Sequence, residues 1–155
     1  MSMNSLVSRF SALAGLVLAA SLSLAATAQT LSAPAAPLAI KGFDPVAYFT
    51  EGQPVPGKPE FEYPLDEARY RFASAANLQR FKSTPDSYLP QFAGSCVMAM
   101  SSGIQFAADP NNWLIHEGKL YVFGAADGPE KFRRNPSEAM AKANQHWAVL
   151  KPAPN

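Results

Sequence analysis

Cysteine is almost missing from this chain, with Cys96 the only one in 155 residues. A single thiol builds neither an intramolecular disulfide framework nor a cysteine-based zinc knuckle, so stability has to come from packing. Charge is sparse too, at 16% of residues, and 13 Lys and Arg nearly cancel 12 Asp and Glu. A net charge of +1 provides no basic field to hold a polyanion, which argues against DNA or RNA as a ligand. Histidine occurs twice, as His116 and His146. The length leaves room for one domain and not two, and no internal repeat stands out. What the chain does have is apolar residues, 48% of the total, with 14 prolines as punctuation, a composition that suits a folded domain.

The first 28 residues read as an export signal. Arg9 is the only charge before Lys41, and Phe10 to Ala26 is an apolar run rich in Ala and Leu. Ala26-Thr27-Ala28 then offers small residues where a signal peptidase cuts, which predicts cleavage after Ala28. The competing reading is an uncleaved anchor, since the run approaches the ~20 residues that span a bilayer. After cleavage no stable membrane span is expected, and the product is periplasmic or secreted. Residues 29–39 follow as an extended Pro/Ala-rich tether, and the folded domain is expected to occupy 40–155.

Within that domain Gly42-Phe43-Asp44-Pro45 signals a turn, and Val46 to Phe49 has strand-like composition. Gly52 to Pro59 is a loop. From Glu60 to Ala73 the pattern alternates, with Phe61, Tyr63, Tyr70 and Phe72 on one face and Glu60, Glu62, Arg69 and Arg71 on the other. This predicts a hairpin whose acidic strand faces a basic one. Ser74 caps a helix from Ala75 to about Lys82, and Thr84-Pro85-Asp86 starts a further short turn. Trp113 to Phe123 predicts a second hairpin around Glu117-Gly118, pairing His116 with Lys119, Ile115 with Leu120 and Trp113 with Val122. Its core face would be Trp113, Ile115, Leu120 and Val122. Asn135-Pro136-Ser137-Glu138 opens a last helix, Pro136 to about Leu150, with Met140, Ala143, Trp147 and Leu150 as its apolar stripe. Together these elements predict an α+β fold, a small two-layer domain of short antiparallel hairpins packed with helices.

Asp44-Pro45-Val46-Ala47-Tyr48-Phe49, then Tyr70-Arg71-Phe72-Ala73-Ser74, then Phe81, Pro85 and Tyr88 resemble the YHS domain family, and more closely its exported bacterial members. The similarity runs from about Gly42 to Leu150. It implies the family scaffold and an inclination toward metal handling. Metal-associated relatives carry Cys where this chain has Ala47, Ala73 and Asn77, so their thiolate site does not transfer to these positions.

The remaining soft-ligand chemistry lies in Cys96-Val97-Met98-Ala99-Met100. A thiol and two thioethers at this spacing form a set that favours Cu(I). On a strand all three share a face, whereas on a helix Cys96 and Met100 stack and Met98 turns away. His116 or His146 would supply an optional nitrogen ligand. Against this stands a packing role, because free Cys and Met are routine core residues. Three functions follow from the sequence. The chain is an exported binding or accessory protein handling copper through Cys96, Met98, Met100, His116 and His146; or a metal-free module for a periplasmic protein partner, with Cys96 buried and inert; or a thiol-dependent enzyme. The last is disfavoured because no catalytic signature surrounds Cys96.

Overall fold

The computed structural model describes residues 36–150. Residues 1–28 and 29–35, the expected signal segment and most of the expected tether, lie outside the described residues, as do 151–155. The elements run as helix α1 (Ala47–Thr50), strands β1 (Lys58–Leu65) and β2 (Ala68–Phe72), helices α2 (Ala75–Ser83) and α3 (Val97–Met100), strands β3 (Asp109–His116) and β4 (Lys119–Phe123), and helices α4 (Gly128–Arg134) and α5 (Pro136–Leu150). Each strand pair is a separate two-stranded antiparallel sheet. The fold is α+β, as the alternation of hairpin and helix patterns predicts.

Both hairpins form where expected, and the second has the register read from its turn: His116 opposite Lys119, Ile115 opposite Leu120, Trp113 opposite Val122. Glu117 and Gly118 both take positive φ, the backbone this turn requires. Of the expected face Leu120 and Val122 are buried and Trp113 packs against the core, but the opposite face is buried too. Leu114 and Tyr121 are buried along with Leu120 and Val122, while Ile115 is 36% exposed. Helix α4 is the reason: its Phe132 ring lies 5.0 Å from Tyr121, closing the face the pattern had left to solvent. α4 has a single buried large side chain, Phe132, and so leaves little periodic signal. Val46 to Phe49 is also not a strand. The Asp44 carboxylate accepts from the amides of Val46 (2.8 Å) and Ala47 (3.4 Å), and this turns the chain into α1.

The structure contains an internal repeat that the sequence conceals. Lys58 pairs with Phe72 and Glu62 with Arg71 across a bulge in the first hairpin; Asp109 pairs with Phe123 and Trp113 with Val122 across the same bulge in the second. Every one of these positions is displaced by 51 residues, as are the positive-φ turn residues Asp66 and Glu117. Ahead of each hairpin stands a left-handed turn, Ala39–Gly42 or Gln91–Gly94, with positive φ at Ile40, Lys41 and Gly42 and again at Phe92, Ala93 and Gly94. Two consecutive non-glycine residues in this region cost about 1–2 kcal/mol each. Both turns are held by the same bonds. The residue after the turn donates back to it (Phe43 to Ile40 O, Ser95 to Phe92 O, both 3.0 Å), and a parallel bridge runs to the second strand (Leu38 to Arg69, Pro90 to Leu120). The chain is therefore anchored before Ile40, and Arg69 reaches further to bond Ala36 O at 2.7 Å. After each hairpin a helix sets one phenylalanine at its centre: Phe81 among Tyr63, Tyr70 and Phe72, and Phe132 among Tyr121, Phe123 and His116.

The halves differ most at Asp44 and Cys96, which stand at equivalent places. Asp44 N donates to Val55 O and Cys96 N to Phe106 O. Asp44 is fully buried. Besides Val46 and Ala47, its carboxylate accepts from Ala73 N (2.8 Å) at the end of β2 and from Asn77 Nδ2 (2.7 Å) on α2. One side chain thus joins α1, β2 and α2.

Two outcomes are expected. Replacing Asp44 with Ala strands several buried donors at roughly 1–3 kcal/mol each, so urea denaturation should show a loss of about 3 kcal/mol or more; unchanged stability would remove Asp44 from this role. On the surface, Glu62 accepts from Arg69 Nη1 (2.9 Å) and Arg71 Nε (2.8 Å), bonds that hold its carboxyl below the ordinary 4.5. A depressed folded-state pKa gives stability that is present above the unfolded value and lost as pH falls through the folded one. Melting temperature should therefore decline more steeply with acid below about pH 4.5 in the native chain than in Glu62→Gln, where this contribution is absent.

Candidate functional site

Cys96 precedes α3, and Met100 N donates to Cys96 O at 2.9 Å, so the segment is helical. Gly103, at φ +77, follows the helix end. The helix puts Cys96 and Met100 on its inner side. Cys96 is 7% exposed and Met100 fully buried, both within the main hydrophobic cluster beside Val97, Val122 and Phe123. Met98 points elsewhere, into a shallow hollow of about 210 Å³ shared with Lys131, Asn135, Glu138 and Lys142.

The histidines are held by other neighbours. His116 packs its ring edge-on against Phe132 at 5.4 Å and lies 3.8 Å from the Glu117 carboxylate. His146, on α5, crowds Gly103, where a Cβ would lie 3.1 Å from its Nδ1. Among the described residues no three His, Cys, Asp or Glu side chains gather in a way that could hold a metal ion, so Cys96, His116 and His146 do not form one ligand group. The residues singled out by sequence are thus a core pair, Cys96 and Met100, and three separate boundary residues.

A larger opening lies elsewhere. A groove of about 1080 Å³ runs between the two left-handed turns and is walled by the turn between β1 and β2 (Leu65 to Ala68), Tyr70, Leu89 to Ser95, and Trp147 and Leu150 near the end of α5. Its apolar lining includes Leu38, Ile40, Leu65, Leu89, Phe92 and Trp147; Lys41, Asp66 and Glu67 place both charge signs on it. Tyr70 is 5% exposed, and burial, reinforced by Asp66, pushes its hydroxyl up to about 12, so it stays a hydrogen-bond donor at any ordinary pH. Strained turns side by side at an open groove are common at binding sites, where the surrounding structure has to hold an unfavourable backbone.

No family model, curated protein or solved structure matches this chain. Function has to be argued from the groove and the core.

Sequence reading missed the groove because its residues look like ordinary core. Ile40, Tyr70 and the pair Leu89 and Phe92 are scattered over three segments that the fold brings together. The available signal was Gly42 and Gly94, each closing a left-handed turn.

Burial of Cys96 has a measurable consequence. Its thiol should react with a water-soluble maleimide at least ~100-fold more slowly in the native chain than in denaturant, since access requires opening of a core worth several kcal/mol. Fast native labelling would place the sulfur at the surface.

Proposed function

We propose that this chain is an exported domain of YHS type that works as a metal-free interaction module in the periplasm or outside the cell, with Cys96 as a core residue. One observation carries the reading: the thiol and the Met100 thioether lie inside the hydrophobic cluster, while the open, mixed-polarity groove lies between the two left-handed turns. A soft-metal carrier needs sulfur atoms that an arriving ion can reach. Here Met100 is fully buried and Cys96 nearly so. Catalysis by the thiol meets the same obstacle, because a substrate has to approach the nucleophile.

The YHS resemblance supports the exported, single-domain part of this reading. The signal-like run from Phe10 to Ala26 supports its location. Among the described residues no helix is long and apolar enough to cross a membrane.

The deciding measurement is a Cu(I) titration of the purified mature chain against a chromogenic chelator, in parallel with Cys96→Ala. The expected result is no stoichiometric uptake by either protein, together with a loss of about 1–2 kcal/mol in stability for the variant from its lost packing. Uptake of about one Cu(I) per chain that disappears in Cys96→Ala would restore the copper reading in place of this one.

A further inference from the structure

The internal repeat shows what the groove lacks. In the second half, α5 covers the face made by the Gln91–Gly94 turn and β4. Trp147 packs edge-on against Phe92 at 6.2 Å, and the Tyr121 hydroxyl donates to Met140 Sδ at 3.1 Å. Displaced by 51 residues, the same construction begins in the first half. Thr84 and Asn135 have matching backbone at the end of the preceding helix (φ −146, ψ 67 and φ −153, ψ 70), and each is followed by a proline that opens a new helical turn, Pro85 or Pro136. From Pro136 the helix runs on to Leu150. From Pro85 it stops after Ser87, and Pro90 leads the chain away into the second left-handed turn. Leu89, at the place of Met140, is the last residue to follow the plan.

The first-half face is therefore left without the turns that α5 supplies beyond Met140. Ile40 stands where Phe92 stands, with no counterpart of Trp147. Tyr70 stands where Tyr121 stands, and Leu89 offers its hydroxyl no acceptor where Met140 offers sulfur. Among the described residues the Tyr70 hydroxyl has no hydrogen-bond partner, and since no sealed side-chain polar atom is left unpaired, it opens on the groove that Tyr70 lines.

We propose that the groove receives an amphipathic helix from a partner protein, about two turns long, which sets a bulky apolar side chain on Ile40 and an acceptor at the Tyr70 hydroxyl, as α5 does for the other half. The proposal rests on the interaction-module reading and specifies the partner's secondary structure. Recognition is by an apolar stripe at helical spacing, with Leu65, Leu89 and Trp147 as the walls and Lys41, Asp66 and Glu67 at the rim.

The test uses α5 itself as the probe: a fluorescent peptide of residues 139–150, held helical by a hydrocarbon staple across the positions of Asn144 and Ala148. Titrated with the intact mature chain, it should show saturable 1:1 binding, weakened at least tenfold by Trp147→Ala in the peptide. Ala68→Glu and Leu89→Glu in the protein, each checked for a native melting profile, should each weaken it at least tenfold as well. Absence of saturable binding up to about 1 mM protein would overturn the helix proposal, as would binding indifferent to both groove substitutions. Either failure leaves the interaction-module reading to stand or fall on the copper titration.

Discussion

The structure depends on one carboxyl side chain held in the core by hydrogen-bond donors. Asp44 lies at the meeting point of α1, β2 and α2, and its two oxygens are occupied by three backbone amides and the Asn77 side chain. Burying a carboxylate is costly unless donors replace its water, and here the four donors come from three parts of the first half, the start of α1, the end of β2 and α2. The carboxyl group is tolerated only when those parts are in place. Asn77 is the one side chain among those donors, and it ties α2 to the carboxylate. Aspartate at the second-half position would need its own ring of donors; the chain instead has Cys96, which asks for none, and α3 packs it into hydrocarbon.

What could be read from sequence was whatever is written locally. The Glu117-Gly118 turn fixed the second hairpin's register, Ser74 capped α2 by accepting from Asn77 N, and Asn135 with Glu138 opened α5. Glu62 between Arg69 and Arg71 follows from the alternation of charge on facing strands. Long-range features were not legible. Tyr121 looked solvent-facing and is buried, because Phe132 of α4 covers its face. Val46 to Phe49 looked like a strand and is helical, because a carboxylate two residues earlier captures its first amides. The helical geometry that parts Met98 from Cys96 and Met100 was one of two readings, and the spacing alone did not choose between them.

The repeat escaped notice for a physical reason. Equivalent positions share a backbone conformation and a degree of burial, and these constrain residue type only weakly. Tyr70 and Tyr121, Phe72 and Phe123, Phe81 and Phe132 agree because each packs at the same three-way contact of hairpin and helix. Elsewhere the halves have diverged, down to Ile40 against Phe92 and Leu89 against Met140. Those differences open the groove on one side and close it on the other.

Each half has one two-stranded hairpin, one left-handed turn and a short helix on either side of the hairpin, and a two-stranded sheet by itself is marginal in water. The turns meet at Gly94, where an added Cβ would lie 3.4 Å from Ile40 Cγ2. Neither hairpin has a third strand to lean on, so each leans on the other half, at that junction and at Tyr48, whose hydroxyl donates to Pro110 O at 2.9 Å and whose ring packs edge-on against Trp113. Both halves feed one hydrophobic cluster, so each supplies surface that the other has to bury.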